Sequence, residues 1–412
     1  MQKFEDAVTP THPVFSELEV LTDCGIDFST LISARPFVPF DSLAISFLHD
    51  LGNSLIRDLR SKIFPDVQSF AFWCRNNNLC ELSDRHHKDV VRFGKGIAFH
   101  IAPNNVPVNF AYSLAAGVLT GNVNIVRVPS ILHPQIEIIV DAIKLLVNES
   151  KHSWIRERLF VVRYGHQKVI TDFFSAHCDV RIIWGGDEAI ANIRLSPLPA
   201  KASDVVFADR YSFCVIDAKS YLLVANRKRV ARDFYNDTYL FDQNSCTAPH
   251  LVVWLGNEDD ANIARNLFWE NLERIVVDEY EMQEVRSIDK LVAAYRLASW
   301  ESDTIIENSI NNLIIRVLLK KLPMGLENER SDSGYFIEYV AGSISEICNI
   351  VNRRFQTLSF LGFDENFWRN FVTESRMLGI DRVVPIGKTL DFSLSWDGYD
   401  IVSMLTRQVN IG

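Results

Sequence analysis

From Gly96 to Ile193 the chain alternates short apolar runs with amphipathic stretches, and this alternation restricts the fold more than any other feature. Gly96–Ala102, Asn122–Val128, Leu159–Arg163 and Val180–Trp184 are short apolar runs, and each reads as a buried strand. Helices are expected between them, from Val108 to about Thr120 with a stop at Gly121, over Pro134–Asn148, over Gln167–Ala176, and over Asp187–Ile193 behind Gly185-Gly186. Pro107 suits the first turn of the first helix. Strands alternating with helices require right-handed crossovers and a parallel sheet. The chain is therefore of the α/β class, with a doubly wound domain of the kind that binds nucleotide cofactors.

A second α/β unit is expected from Phe213. Its strands are His250–Leu255, Leu313–Leu318, Tyr335–Val340, Thr357–Phe360 and Asp381–Pro385, and its helices lie near Asp260–Leu272, Tyr280–Ala298 and Ser343–Asn352. The reading is thus three segments: 1–212 with the dinucleotide-binding domain, 213–390 with a cysteine domain, and a tail 391–412. The first ninety residues, with apolar patches at Leu43–Leu55 and Phe70–Trp73, are expected to be helices covering another element. A length of 412 residues suits two or three domains, and 48% hydrophobic with 23% charged residues is ordinary for a globular chain. The net charge of −10 argues against nucleic acid and against an anionic membrane as partner. The most apolar stretch, Ala111–Thr120, is about half the roughly 20 residues that a bilayer requires. The amino terminus MQKFEDAVTP has no signal-peptide pattern. Seven cysteines, including Cys24, with no CxxC pair read as free thiols, so a cytoplasmic location is expected.

No GxGxxG turn is present; Gly94-Lys95-Gly96 precedes a strand where a phosphate loop would follow one. Gly387-Lys388-Thr389 resembles the end of a Walker loop, but the glycine that must open such a loop is Arg382. Cys74, Cys80 and His86-His87 lack zinc-ligand spacing, so no metal is expected. Cys246, in FDQNSCTAPHLVVW, stands among polar residues just before an apolar strand. Such a thiol is either exposed and activated as a nucleophile, or inert and half-buried. Cys178, Cys214 and Cys348 have no polar constellation and read as core thiols. In APNNVP, Asn104 and Asn105 lie between a strand's carboxyl end and a helix, where ligands bind in open α/β sheets. Each is either an amide donor to a developing oxyanion or a helix N-cap.

Several motifs in the right order carry a resemblance. The segment HIAPNNVPVNFAYSLAAGVLTGNVNIVRVPS (His100–Ser130), DRYSFCVID (Asp209–Asp217), DQNSC (Asp242–Cys246) and WDGYD (Trp396–Asp400) resemble the LuxC-type acyl-CoA reductases, a branch of the aldehyde dehydrogenase superfamily. The resemblance implies an aldehyde dehydrogenase-like fold, with a cofactor domain, a cysteine domain and a tail for oligomerisation. It puts Cys246 in the nucleophile's place and Asn105 in that of the oxyanion asparagine of P-W-N-F-P, with Asn104 replacing the tryptophan. Ile101, Ala102, Pro103, Asn104, Arg127, Ser130, Gly165, Gly185 and Gly186 fall on cofactor-contacting positions. Arg127 replaces a lysine and Ser130 a glutamate that binds ribose hydroxyls in NAD-preferring members; loss of that carboxylate favours the 2′-phosphate of NADPH. Phe207 falls where aldehyde-oxidising members carry a glutamate base.

The implied reaction is NADPH-dependent reduction of a fatty acyl thioester to an aldehyde through an acyl-cysteine. The implied partners are acyl-CoA or an acylated protein, with an acyl-protein synthetase as supplier, and the implied assembly is a homodimer or tetramer. Rival readings are a short-chain CoA-acylating aldehyde dehydrogenase using NAD, a non-catalytic partner-binding subunit, and a cysteine thioesterase.

Overall fold

The computed structural model describes residues 17–22, 28–86, 90–308 and 312–411; the terminus MQKFEDAVTP, Cys24 and His87 lie outside them. The chain divides into two compact units, 1–208 with 392–412, and 209–391.

The first unit holds strands β1 (Glu19–Val20), β2 (Val91–Gly94), β3 (Ile97–Ile101), β4 (Val123–Val128), β5 (Leu159–Arg163), β6 (Val180–Trp184) and β7 (Ser203–Phe207). Six of them form a sheet in the order β1-β5-β4-β3-β6-β7, parallel except for β1. β7 is not among the expected strands, because its polar start, Ser203-Asp204, leaves only Val205–Phe207 as an apolar signal. Every residue of β3, β5 and β6 is buried, as a sheet covered on both faces requires. Ala98, Val126 and Val161 pack with the helices Ser42–Arg57, Asn109–Leu119 and Pro134–Val147, while Phe99, Ile125 and Val162 pack with Lys168–His177. Gly121, at φ +78, ends the helix before β4 as expected, and a Cβ there would stand 2.3 Å from the Phe37 carbonyl oxygen. That helix begins at Asn109, so Pro107 lies in the turn ahead of it.

The second unit holds β8 (Tyr211–Asp217), β9 (Pro249–Leu255), β10 (Ile305–Asn308), β11 (Ile315–Leu319), β12 (Tyr335–Ala341), β13 (Phe355–Leu361) and β14 (Arg382–Pro385). Their order is β10-β11-β12-β9-β8-β13-β14, parallel except for β10. Glu258–Glu279 and Glu284–Trp300 are helices, longer than or shifted from the expected spans. The helix expected over Ser343–Asn352 is a short 3₁₀ segment, Ile344–Asn349, opened by a Ser343–Glu346 capping box. Arg227–Thr238 and Glu365–Ser375 are helices without a sequence expectation, since charge masks their narrow apolar faces.

The tail forms a short hairpin, β15 (Ser395–Trp396) with β16 (Tyr399–Asp400), and then β17 (Thr406–Val409). β17 pairs antiparallel with β2, and Trp396, Ile401, Val402 and Leu405 enter the first unit's core. Residues 392–412 therefore build the first unit, and the division falls at 208/209 where the sequence reading set 212/213. Among the described residues no helix is long and apolar enough to cross a membrane.

Candidate active site

In the first unit the chain runs β3, β4, β5 to one side, then returns to place β6 on the other side of β3. Open α/β sheets bind ligands at such a reversal, outside the carboxyl ends of the strands. All the expected cofactor-contacting residues stand at or just beyond those ends: Ile101, Ala102, Pro103 and Asn104 at β3, Arg127 and Ser130 at β4, Gly165 at β5, and Gly185 and Gly186 at β6. Asn104 and Asn105 are both exposed. The N-cap of the following helix is Val108, so neither asparagine caps it.

Three of these residues support one another or keep space clear. Arg127 donates through Nη2 to the Gly165 carbonyl at 2.6 Å, and its guanidinium lies 4.5 Å from the centre of the Tyr164 ring. Ser130 is exposed beyond β4. Gly186 has an ordinary φ of −74 and caps the helix Asp187–Arg194, and a Cβ built there would meet nothing within 4 Å. The protein's own packing therefore does not require glycine there, and its bare backbone leaves room for a ligand. Asp187 and Glu188 in that helix's first turn already balance its positive end, so a phosphate would depend on a cation such as Arg127.

Beneath this rim lies a buried network that sequence reasoning passed over. His100 Nδ1 pairs with Ser113 Oγ at 2.7 Å and Nε2 with Asn124 Oδ1 at 3.1 Å, while Trp184 Nε1 donates to Ser113 Oγ at 3.1 Å. Burial lowers the His100 pKa to about 4, so the ring is neutral. These bonds tie the end of β3 to its helix, to β4 and to β6, and so fix the base of the 102–107 loop. Phe207, which the resemblance set in the place of a glutamate base, is buried and stacks on Trp184 with ring centres 3.8 Å apart.

In the second unit Cys246 is half-buried in the loop before β9. Its braces come from Gln243, at φ 60 and nearly fully buried. Gln243 Nε2 donates to the carbonyls of Pro249 and Tyr335, each at 2.9 Å, and Oε1 accepts from the amides of Gly334 at 3.0 Å and Tyr335 at 3.1 Å. Ser212 Oγ donates to the Cys246 carbonyl at 2.7 Å and accepts from the Thr357 amide at 3.1 Å. Both neighbours of β8 slip register at Ser212: Pro249 and then Leu251 face Ser212 and Phe213, and β13 skips between Phe355 and Leu358. Such bulges re-aim side chains. Here His250 is the extra residue, stacked on Tyr211 at 5.6 Å, with burial as the main cause of a pKa near 3. Cys246 thus stands at the amino ends of β8, β9, β12 and β13. By contrast Cys74, Cys178 and Cys214 are buried, and burial raises their thiol pKa values, that of Cys178 to about 12. Gln243 and Ser212 were within reach of sequence reading only as parts of DQNSC and DRYS, because their roles are long-range.

Residues 74–277 match the family model for LuxC, acyl-CoA reductase. The long-chain acyl-protein thioester reductase of Photorhabdus laumondii is 28% identical over 190 residues, 43% of this chain and 38% of that protein. The long-chain acyl-protein thioester reductase of Vibrio harveyi is 25% identical over 172 residues, 40% of this chain and 33% of that protein. The match thus spans less than two fifths of either relative's length. Among solved structures, PnpE in complex with nicotinamide adenine dinucleotide is similar over 94% of this chain and 89% of that one, with a TM-score of 0.63 and 11% identity. A lactaldehyde dehydrogenase is similar over 92% of this chain and 89% of that one, with a TM-score of 0.64 and 10% identity. The fold is that of the aldehyde dehydrogenases, and the likeness to LuxC-type acyl-CoA reductases is shown for residues 74–277.

Proposed function

For a chain that is LuxC-like over residues 74–277 and folded as an aldehyde dehydrogenase, we propose the reduction of a fatty acyl thioester to a fatty aldehyde, with NADPH as the reductant. The observation that carries this reading is Cys246, held by Gln243 and Ser212 at the amino ends of adjacent strands within the matched segment. The curated relatives are named as long-chain acyl-protein thioester reductases, which favours a long acyl group as substrate.

Cys246 attacks the acyl carbonyl as its thiolate, forming a new carbon–sulfur bond, and the donor's thiolate leaves. Asn105 has the donor's role toward the tetrahedral oxyanion, and one such donor is typically worth about 3–4 kcal/mol. The acyl-cysteine remains a thioester, so its carbonyl stays open to reduction. A reduced nicotinamide, when bound, supplies hydride. Cys246 then departs as the carbon–sulfur bond breaks and the aldehyde forms. Phe207 supports reduction over hydrolysis, because it offers no carboxylate to activate water at that position. The residues at the carboxyl ends of β3 to β6 fit a dinucleotide: Gly186 gives clearance, Arg127 a cation, and Ser130 a neutral neighbour for a 2′-phosphate. The same reading carries an acyl-protein synthetase as partner and a homo-oligomer as the working form.

The test is to trap the acyl-enzyme. Incubation with a long-chain acyl thioester and no reductant should add one acyl group to the peptide containing Cys246, read by mass spectrometry. Aldehyde formation by a protein that never acquires this adduct would refute the mechanism.

A further inference from the structure

Among the described residues nine non-glycine positions have a positive φ. Four of them, Asp242 (φ 51), Gln243 (φ 60), Asn312 (φ 54) and Ser333 (φ 57), belong to one hydrogen-bonded cluster around the side chain of Lys290. Such conformations persist only where the surroundings over-determine them, and they gather at functional sites. Lys290 lies on the helix Glu284–Trp300 and is fully buried. Its Nζ donates to the carbonyls of Asn312 at 2.6 Å, Ser333 at 2.7 Å and Leu313 at 3.2 Å. An ammonium has three protons, and here three carbonyls take them. Burial lowers its pKa to about 8, with the charge of Asp332 opposing, so at neutral pH the ammonium is the main form.

The turn held by Lys290 is bonded directly to the chain that leads into Cys246. The Ser333 amide donates to the Asp242 carbonyl at 2.9 Å, and the next two amides, of Gly334 and Tyr335, donate to Gln243 Oε1. Cys246 follows Gln243 by three residues. Gly334, at φ +92, has no room for a side chain, since a Cβ would strike the Leu313 carbonyl oxygen that Lys290 also holds. The same helix grips this segment twice more: Arg286, one turn before Lys290, pairs with Asp332 at 2.9 Å, and Arg296 pairs with Glu329 at 2.9 Å. Arg330, within the segment, donates to the Arg210 carbonyl at 3.0 Å and pairs with Asp209, close in sequence to Ser212. Segment 329–335 is therefore joined to both braces of the nucleophile's loop, Gln243 and Ser212.

We propose that Lys290 is a positioning residue for the nucleophile: its ammonium holds the Ser333 carbonyl, and so fixes the left-handed turn against which Gln243 sets the Cys246 loop. The inference rests on reading Cys246 as the nucleophile. Lys290 shares the buried face of its helix with Ala293, Ala294 and Leu297, so an apolar residue would continue that face. A buried ammonium is costly unless each of its donors is used, and what this one adds over an apolar side chain is its three bonds to the turns. Without them three carbonyls lose a partner, and Asp242, Gln243 and Ser333 keep their conformations by fewer bonds. Cys246 then occupies several placements in turn, and a misplaced nucleophile slows attack more than it weakens binding.

The test follows acyl transfer from a long-chain acyl thioester to Cys246, together with amide hydrogen exchange, in the full chain as parent, Lys290→Met and Lys290→Gln. Methionine fills the space without donors, and glutamine keeps two N–H donors. In Lys290→Met, acylation at saturating thioester should slow about tenfold or more, with the half-saturating concentration unchanged within about twofold. Lys290→Gln should lie between that variant and the parent. Exchange should quicken at 242–244 and 333–335 while the centre of β9 keeps the parent's rate. A residue that only filled space would leave the acylation rate of folded Lys290→Met at the parent's value. That result, or unchanged exchange at both segments, overturns the proposal. If neither variant folds, the parent decides the matter: the Ser333, Gly334 and Tyr335 amides should exchange as slowly as the centre of β12, and exchange at the rate of an exposed loop overturns the proposal. The exchange measurement needs no acyl donor. Quickened exchange at both segments in a protein whose Cys246 never takes up an acyl group would fail the proposed function and leave the hold of Lys290 on the loop standing.

Discussion

Gln243 shows how much one side chain can determine. Its two amide atoms satisfy four buried main-chain groups, and it does so from a left-handed backbone conformation directly before the Asn244–Cys246 loop. Gln243→Ala leaves those groups without partners and should cost about 2–4 kcal/mol of stability, measurable by urea unfolding. At a temperature where the variant remains folded, its alkylation at Cys246 should also lose the uniform kinetics of a fixed loop. Ser130 tests the cofactor reading on a single side chain. Ser130→Glu should weaken NADPH at least tenfold more than NADH in a fluorescence titration, because a carboxylate repels the 2′-phosphate. An unchanged ratio would remove Ser130 from cofactor choice.

Among the elements, β3 and β9 each bury a neutral histidine. His100 lies near 4 and His250 near 3, both depressed chiefly by burial, against an ordinary value of 6.5. The unfolded chain takes up protons on both below pH 6.5 while the folded chain does not. Stability is therefore full above pH 6.5 and falls as the pH drops toward 4, by something on the order of 3 kcal/mol for each histidine. Asp237 acts in the opposite sense: raised to about 7, it favours the fold more as the pH falls from 7 toward 4. The two histidines outweigh it, so acid should destabilise, and His250→Gln should flatten the profile between pH 6.5 and 4. β12 contributes a different kind of buried charge. Glu338 accepts from Arg265, Arg316, Trp254 and Trp269. Glu338→Ala should cost about 3–5 kcal/mol by stranding Arg265, and Arg265→Leu in the same chain should recover part of that loss.

The same scale shows what the sequence made legible. β3, β4, β5 and β6 are mostly apolar and bounded by turns, and their positions agree with the reading to within a residue or two. β7 and the helix Arg227–Thr238 escaped because their polar residues are satisfied by distant partners: Asp204 by Arg181, and Asp237 by the 387–389 turn. The motif around Cys246 was legible as a motif. Its braces were not, since Ser212, Thr357 and Tyr335 lie 34, 111 and 89 residues away along the chain and meet only through strand register and two bulges. The Gly387-Lys388-Thr389 turn was legible as something other than a phosphate loop, because Arg382 stands where a glycine is needed. That the Lys388 and Thr389 carbonyls accept from that same arginine needed the fold.

For the whole molecule, two α/β units divide the proposed chemistry, with dinucleotide contacts on the first and the nucleophile on the second. For a chain of net charge −10, the proposed binding of polyanionic NADPH requires local cations, so Arg127→Ala should weaken NADPH and reduce the salt dependence of its binding. The most direct test of the account is a turnover assay with acyl thioesters of two to sixteen carbons, following NADPH consumption and aldehyde together in the parent and in Cys246→Ser. The account predicts aldehyde and oxidised cofactor in equal amounts, greatest with long chains. It also predicts at least a thousandfold loss in Cys246→Ser, with NADPH binding retained. Release of free acid with NADPH untouched, a preference for two to four carbons with NADH, or turnover that survives in Cys246→Ser would contradict it.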